Sequence, residues 1–175
     1  MPRFFVAVDL PQDVRMALAR VQPVELRGVK VVSPEQLHIT LHFLGDMPRD
    51  AVVAALAGVR CEPFELQICG VGRFPGRDGG AVLWGGLEAS PELQSLHARV
   101  GVALAGTGFR PESRPYSPHV TLARCRPGYD RSGVQEFLDR QAGFSMPPFD
   151  VREFVLYSSV LGKAGPVYTR EWVGG

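Results

Sequence analysis

The feature that most constrains the fold of this chain is a short polar motif in an apolar setting, which occurs twice. His38-Ile39-Thr40-Leu41 and His119-Val120-Thr121-Leu122 both read histidine, β-branched aliphatic residue, threonine, leucine. Side chains alternate between the two faces of a strand, so the histidine and threonine of each copy point the same way, about 6.6 Å apart, while the aliphatic residues point into a core. The pattern therefore predicts two buried strands, each with one polar pair.

Similar elements surround the two motifs. The predicted helices span residues 11–21, about 48–59, 90–105 and 132–141. The predicted strands span residues 3–9, 29–32, 38–45, 64–74, 81–87, 119–125, 149–161 and 168–172. Each motif strand thus lies between two helices and is followed by a further strand or hairpin.

This order predicts an α+β protein that forms a single bilobal domain over residues 1–175. We expect two pseudo-symmetric lobes, each an antiparallel sheet with helices on its outer face, around a central cleft. The two motif strands would face each other across that cleft.

Composition excludes several classes of protein. Hydrophobic residues make up 45% and charged residues 21% of the chain, and no segment approaches the roughly 18 apolar residues of a membrane span, which excludes a membrane protein. The N-terminal segment enters a strand without a long apolar run, so we find no secretory signal and expect a cytoplasmic protein. The three cysteines form no CxxC pair, which favours reduced thiols. A net charge of +1 argues against a protein that coats long nucleic acids, so any phosphate recognition should be local.

Two histidines in one cleft suit a reaction that needs a base and an acid in the same turnover. An imidazole with an ordinary pKa of about 6.5 can be neutral or protonated near neutral pH. The threonine two residues after each histidine supplies a donor for an anion held between them. Hydrolysis of a cyclic phosphodiester fits this arrangement, with one histidine deprotonating water and the other protonating the departing sugar oxygen.

The pair of motifs resembles the 2H phosphoesterase superfamily. The flanking segments resemble its bacterial and archaeal RNA 2′,3′-cyclic phosphodiesterase branch, originally named 2′-5′ RNA ligases. These segments are residues 3–11, 37–45, 118–124 and 154–159. The resemblance implies metal-independent hydrolysis of a terminal 2′,3′-cyclic phosphate to a 2′-phosphate, with ATP-independent 2′-5′ ligation as the reverse reaction. It also implies RNA or oligonucleotide ends as the partner and no cofactor, and we expect a monomer.

The resemblance makes His38 and His119 the catalytic pair and Thr40 and Thr121 the phosphate donors. We assign the general acid that protonates the 3′ oxygen to His38 and the general base to His119, although the reverse order is open. The resemblance also places Arg124 at a basic position that contacts phosphate.

The role of Arg124 depends on a break in the strand pattern. Strict alternation puts Arg124 on the face opposite His119 and Thr121, so a phosphate contact requires a bulge or the end of the strand. Otherwise Arg124 is a solvated surface arginine.

The aromatic positions and the other two histidines are less constrained. Phe43 and Phe5 match aromatic positions near the terminal nucleoside, but Phe43 fits core packing equally well and we expect Phe5 in the core. His42 shares a face with His38, where we expect it to be exposed. His97, in the middle of a helix, is either structural or exposed.

Other ligands and functions compete with this assignment. His38 and His42 are four residues apart, a spacing that converges on a metal in a helix but not in a strand, so we expect no metal site. The phosphate loop GxxxxGK[ST] is absent from the sequence, and ATP as cofactor is unsupported. The alternative functions are a phosphodiesterase for a small 2′-5′ linked or cyclic nucleotide, and a non-catalytic module that binds RNA ends.

Overall fold

The computed structural model describes residues 2–175, which form ten strands and four α-helices. The strands are β1 (Arg3–Asp9), β2 (Val29–Val31), β3 (His38–Gly45), β4 (Phe64–Leu66), β5 (Ile68–Pro75), β6 (Ala81–Leu87), β7 (Val120–Cys125), β8 (Phe149–Val151), β9 (Phe154–Gly162) and β10 (Gly165–Gly174). The helices are α1 (Gln12–Val21), α2 (Arg49–Leu56), α3 (Pro91–Leu104) and α4 (Arg131–Arg140). The predicted α+β class is confirmed. In the part of the chain that is described, every helix is too short or too polar to cross a bilayer.

The main sheet consists of two wings that meet at the motif strands. Its order is β10-β9-β1-β3-β7-β6-β5, with β2 also paired to β7, and all of these pairs are antiparallel. We call β10-β9-β1-β3 the first wing and β7-β6-β5 with β2 the second wing. One residue pair, Ile39 with Val120, joins β3 to β7, whereas the other neighbours in this order pair at five or more positions. The prediction of two separate sheets is therefore corrected: the motif strands are direct neighbours, and each wing continues from one of them.

The helices and the motif side chains lie on opposite faces of the sheet. Along β1, Phe4, Val6 and Val8 belong to the large core that also contains the buried residues of all four helices. Phe5 and Ala7 alternate with them and join a smaller apolar cluster on the other face. The remaining buried members of that cluster are Val155 and Tyr157. The strand period of two thus separates the core from the face on which the cleft lies.

Two strands predicted as continuous are each divided into two. The segment 64–74 breaks at Gln67, whose side-chain amide donates to the carbonyl oxygen of Met146. The segment 149–161 breaks at residues 152–153. In both cases the first part leaves the main sheet, because β4 and β8 pair with each other in a separate two-stranded sheet. The local pattern predicts extended backbone but does not say which strand is the partner.

The starts of α3 and α1 differ in their capping. Ser90 caps α3, since its Oγ accepts a hydrogen bond of 3.1 Å from the backbone N–H of Leu93. Asp9 does not cap α1. Its carboxylate instead accepts a hydrogen bond from the hydroxyl of Tyr157 and forms ion pairs with Arg15 and Arg170.

The cysteines behave as small apolar side chains. Cys61 and Cys125 are buried, Cys69 is half-buried, and all three are free thiols. Burial raises the pKa of each thiol, which favours the protonated form. The prediction of reduced thiols is confirmed.

Candidate active site

A bulge in β7 brings Arg124 to the polar side of the strand. The register against β6 shifts so that Leu122 has no partner between the pairs made by Thr121 and Ala123. Leu122 and Ala123 are both buried, and alternation resumes one position later. Arg124 is consequently exposed on the side of Thr121, and both line the same cavity. The condition for a role of Arg124 at the site, a bulge, is met.

A second bulge occurs at the equivalent position of β3. Here Leu41 has no partner on β1 between Thr40 and His42, and both Leu41 and His42 are buried. The prediction that His42 is exposed is wrong, because the bulge turns its side chain to the helix side, where only 6% is exposed. Phe43 turns the other way and is 65% exposed, which excludes core packing. Phe43 therefore holds the position in the first motif that Arg124 holds in the second.

The histidine pair His38 and His42 does not converge on a metal. The bulge at Leu41 sends the two rings to opposite sides of β3. Within residues 2–175, His, Cys, Asp and Glu side chains form no group of three or more that could hold a metal ion.

His42 is one member of a stack of three rings. Its ring centroid lies 4.1 Å from that of His97, which in turn lies 3.8 Å from the ring of Tyr116. Gly101 of α3 permits this arrangement, because a Cβ atom there would lie only 3.3 Å from the His42 ring. Burial lowers the pKa of His42, and burial together with the neighbouring His42 lowers the pKa of His97 to about 4. His97 therefore has the structural role, one of the two alternatives left open by the sequence.

The stack is connected to the first motif by hydrogen bonds. The Nε2 of His42 lies 2.8 Å from the carbonyl oxygen of His97, which can only accept, so this nitrogen carries the proton. The hydroxyl of Tyr116 donates to the carbonyl oxygen of Thr40 at 2.7 Å. The segment that leads to the second motif thus holds the backbone of the first.

One cavity of about 200 Å³ brings the predicted site residues together. Its walls include His38, Thr40, His119, Thr121 and Arg124. Among the described residues that line it, none is an aspartate or a glutamate. The cavity therefore offers hydrogen-bond donors and positive charge, which is the chemistry that an anion requires.

Both motif histidines are held in the same way. The Nδ1 of His38 lies 2.6 Å from the carbonyl oxygen of Gln36, and the Nδ1 of His119 lies 2.9 Å from that of Ser117. A carbonyl oxygen only accepts, so Nδ1 carries a proton in both rings and Nε2 is the nitrogen left for chemistry. In the first motif, Nε2 of His38 also lies 3.0 Å from Oγ1 of Thr40, so the threonine hydroxyl can donate to it.

Burial lowers the pKa of His38. The hydrogen bond to the Gln36 carbonyl and the charge of Asp9 raise that pKa in part, while the charges of Arg15 and Arg124 lower it further. Before a phosphate is bound, the neutral ring is thus favoured, and this form suits a base. The acid role assigned to His38 requires that a bound phosphate anion raise its pKa again.

Aromatic rings support His38 and flank the cavity. Phe5 is buried, as predicted, and its ring centroid lies 5.0 Å from that of His38. Tyr168 from β10 meets the His38 ring edge-on at 5.6 Å. Phe43 lies 6.2 Å from Phe5 and is exposed, so its outer surface is open to a ligand. Phe5 therefore lies in the wall of the cavity behind the His38 ring and has little exposed surface of its own.

A second cavity, of about 500 Å³, adjoins the first and shares Thr40, Phe43 and His119 with it. Phe74 and Tyr116 are among its aromatic wall residues. The Phe74 ring also meets the His119 ring edge-on at 5.0 Å. A ligand bound at the shared residues therefore has an aromatic surface on one side.

Sequence reasoning did not identify several residues of the two cavities. They are Lys30, Phe74, Phe109, Tyr116 and Tyr168. None of these residues lies in a recurring motif, and each reaches the site through the sheet order or through the extended segment that precedes His119. Of these residues, only Lys30 has a feature in the sequence that could have indicated a role at the site. It is one of two lysines in the chain and lies on the short β2 segment.

The chain is similar to proteins of one family over nearly its whole length. A sequence model of the 2′-5′ RNA ligase superfamily matches residues 10–163. The RNA 2′,3′-cyclic phosphodiesterase of Thermus thermophilus is 36% identical, with 95% of this chain and 86% of the relative covered. The RNA 2′,3′-cyclic phosphodiesterase of Methanothermobacter thermautotrophicus is 34% identical, with 95% of each chain covered.

Solved structures show the same similarity. The crystal structure of Escherichia coli LigT complexed with 3′-AMP superposes with a TM-score of 0.80 at 26% identity, over 99% of this chain and 97% of that chain. A crystal structure of a protein from Thermus thermophilus superposes with a TM-score of 0.79 at 30% identity, over 98% of this chain and 96% of that chain.

Proposed function

The chain belongs to the 2′-5′ RNA ligase superfamily, and from this premise we propose that it is a phosphodiesterase that hydrolyses 2′,3′-cyclic phosphate at RNA ends. The observation that carries the proposal is that both His-x-Thr pairs line one cavity without an acidic side chain among its described residues. In both pairs Nδ1 of the histidine donates a hydrogen bond to a backbone carbonyl oxygen, so Nε2 is the nitrogen that can take up or release a proton. Relatives that carry this activity in their names are similar over 95% of the chain.

The reaction needs one proton removed and one delivered. An oxygen of water attacks phosphorus while the bond from phosphorus to the ribose O3′ breaks, leaving a 2′-phosphate. His119 accepts the water proton at Nε2, and His38 donates its Nε2 proton to O3′. The rings exchange protonation states in each turnover and return to the starting states through solvent. Thr40 and Thr121 donate to the non-bridging oxygens, and the Arg124 guanidinium offsets their charge.

The lowered pKa of His38 makes the assignment of acid and base worth a separate test. A substrate with sulfur in place of O3′ has a leaving group that needs no proton. This substrate should restore most of the rate of the variant that lacks the acid and none of the rate of the variant that lacks the base. Rescue of His38→Ala supports His38 as the acid, and rescue of His119→Ala reverses the two roles.

The terminal nucleoside contacts Phe43. This ring is 65% exposed where the two cavities meet, and aromatic faces stack on any base. The related LigT of E. coli binds 3′-AMP, a nucleoside monophosphate of the size that the adjoining cavities accept. Phe5, the other aromatic position, acts through the His38 ring rather than by touching the base.

The two wings act as pseudo-symmetric lobes of one bilobal domain around the cleft. Each wing contributes a His-x-Thr pair, a bulge at the following leucine, and a histidine Nδ1 that donates to the backbone carbonyl two residues earlier. The residues assigned to the reaction come from both wings of one chain, and we propose that the protein acts as a monomer.

The test is product analysis with an oligonucleotide that ends in a 2′,3′-cyclic phosphate, in buffer containing EDTA. The protein should release a 2′-phosphate end, and His38→Ala and His119→Ala should each lower kcat about 10²- to 10⁴-fold. Near-normal turnover by either variant would show that the paired mechanism is wrong. Loss of activity in EDTA that zinc restores would show that a metal takes part.

The same experiment separates the alternative functions. Tight binding of the oligonucleotide with no product after long incubation would indicate a non-catalytic module that binds RNA ends. Cleavage of a small 2′-5′ linked or cyclic nucleotide, but not of the oligonucleotide end, would indicate a nucleotide phosphodiesterase. ATP-independent 2′-5′ joining uses the same groups in reverse, and in water it requires that the two ends be held together.

A further inference from the structure

One tyrosine hydroxyl in the wall of the histidine cavity has no partner in the protein. The chain has four tyrosines. Three of them form hydrogen bonds within the protein through the hydroxyl, namely Tyr116, Tyr129 and Tyr157. Within residues 2–175, the hydroxyl of Tyr168 forms none, although the side chain is half-buried and lines the cavity of the motif histidines. This hydroxyl is therefore available to a ligand in the cavity.

The Tyr168 side chain reaches inward across the first wing. Tyr168 lies on β10, three strands away from β3 in the sheet order, which is roughly 14 Å at about 4.8 Å per strand. Its ring nevertheless meets the Phe5 ring at 5.0 Å and the His38 ring at 5.6 Å. The side chain is thus directed toward the motif strand and not toward the outer edge of the sheet.

One residue ties β10 to the motif histidine. The side-chain amide of Gln36 donates to the carbonyl oxygen of Pro166, and the backbone carbonyl of Gln36 accepts from Nδ1 of His38. Pro166 and Tyr168 are two positions apart on β10, so they share a face, and both line the cavity. The position of Tyr168 relative to His38 is therefore fixed by direct contacts.

Without Tyr168, the first wing offers fewer hydrogen-bond donors to the cavity than the second. The second wing presents Thr121 and Arg124, whereas the first has Phe43 at the position equivalent to Arg124. Among the described first-wing residues in the cavity wall, Tyr168 is the only polar one outside the His-x-Thr pair. Burial raises the pKa of Tyr168 and the charge of Arg124 offsets part of that rise, so the hydroxyl stays protonated near neutral pH and can donate.

We propose that the Tyr168 hydroxyl donates a hydrogen bond to a non-bridging oxygen of the reacting phosphate. This inference rests on the proposed function and adds one residue that touches the substrate. The phosphate is then held from both wings, by Tyr168 on the first and by Arg124 on the second. A neutral donor suits the place beside His38, because a second positive charge there would lower the pKa of His38 further.

Tyr168→Phe removes the hydroxyl and keeps the ring against His38 and Phe5. With an oligonucleotide that ends in a 2′,3′-cyclic phosphate, kcat/KM should fall about 10-fold, the lower end of the range for a hydrogen bond to a charged group. The urea midpoint should stay that of the unmodified protein, because the hydroxyl bonds no described part of the chain. An unchanged kcat/KM would exclude the contact.

Tyr129→Phe is the matched control. It removes a hydroxyl that accepts a hydrogen bond from Arg73 at 3.5 Å, and Tyr129 lines neither cavity. Its kcat/KM should stay within about 2-fold of normal. An equal fall in the two variants would mean that the loss of a tyrosine hydroxyl disturbs the site through the fold, and it would overturn the assignment.

Sulfur substitution tests whether the contact is with the phosphate. Each diastereomer of a 2′,3′-cyclic phosphorothioate end carries sulfur, a weaker acceptor, in place of one non-bridging oxygen. The losses from Tyr168→Phe and from sulfur should be non-additive for one diastereomer only. The effect of Tyr168→Phe should therefore fall from about 10-fold to about 2-fold with that diastereomer and stay about 10-fold with the other. The same effect with both diastereomers would overturn the proposal.

A binding measurement separates this inference from the proposed function. Calorimetric titration with adenosine 2′-phosphate needs no turnover, and Tyr168→Phe should raise its Kd about 10-fold while Tyr129→Phe leaves it unchanged. This result supports the phosphate contact even if no hydrolysis is seen, and then only the proposed function fails. An equal Kd in Tyr168→Phe and the unmodified protein overturns the contact even if hydrolysis is normal.

Discussion

Replacing His97 with glutamine should make the stability of the protein less sensitive to acid. Burial and the adjacent His42 lower the pKa of His97 from 6.5 to about 4 in the folded chain. Between these two values the unfolded chain takes up a proton that the folded chain does not, so the free energy of unfolding falls as the pH falls through this window. Glutamine does not titrate and removes this contribution.

The size of the effect follows from the two pKa values. The full shift of the His97 pKa corresponds to about 3.4 kcal/mol in the free energy of unfolding. About 2 kcal/mol of this is lost between about pH 8 and pH 5. The His97 ring is half-buried, and solvent screening reduces this to about 1 kcal/mol. Tyr116 stacks on the other face of the ring and stays neutral in this window, because burial raises its pKa. Glu112 acts on the neighbouring His42, where its charge raises the pKa.

Urea unfolding at the two pH values measures the prediction. For the unmodified protein and for His97→Gln, the difference in free energy of unfolding between about pH 8 and pH 5 is compared, so that the carboxylates common to both cancel. The difference should be about 1 kcal/mol smaller in the variant, or about 0.5 M in the urea midpoint for an m-value of about 2 kcal/mol/M. The lost stack lowers the stability of the variant at both pH values alike. The same pH dependence in the two proteins would refute the assignment of a half-buried, neutral ring at His97.

Two further predictions concern the site. Tyr116→Phe removes the hydrogen bond to the Thr40 carbonyl but keeps the stacked ring, and it should lower kcat about 5-fold with little change in KM, the equivalent of about 1 kcal/mol. A variant with normal kcat would show that Thr40 is positioned without this bond. Phe43→Ala should raise KM for an RNA end about 10-fold by removing a stacking surface, while Phe43→Tyr keeps it. Equal KM values for the two Phe43 variants in steady-state kinetics would exclude base stacking at this position.

Much of the site was accessible from local patterns. His38 and Thr40 alternate with Ile39 and Leu41 in the sequence, and the structure has the same alternation up to the leucine. The cap at Ser90 likewise follows from neighbouring residues alone, because the acceptor and the donor are three positions apart. Contacts of this range depend on backbone geometry that the residue types themselves favour.

The predictions that failed share one cause. Strict alternation predicts that His42 shares a face with His38, but the bulge at Leu41 reverses the alternation from that point onward. Apolar alternation along β3 does not mark the bulge, which is visible only in the register of β3 against β1. The two divided strands and the single joined sheet have the same origin, because the choice of a strand partner is a long-range event.

The sequence by itself determined that two His-x-Thr pairs lie on buried strands, because side-chain alternation is a property of the backbone. Only the tertiary structure decided what lies next to them. The two bulges turn Phe43 and Arg124 toward the cavity of the motif histidines, and strand order brings Lys30 beside Arg124 and Tyr168 against His38. These neighbours are separated in the chain by most of its length or by a register shift, so no local pattern records them.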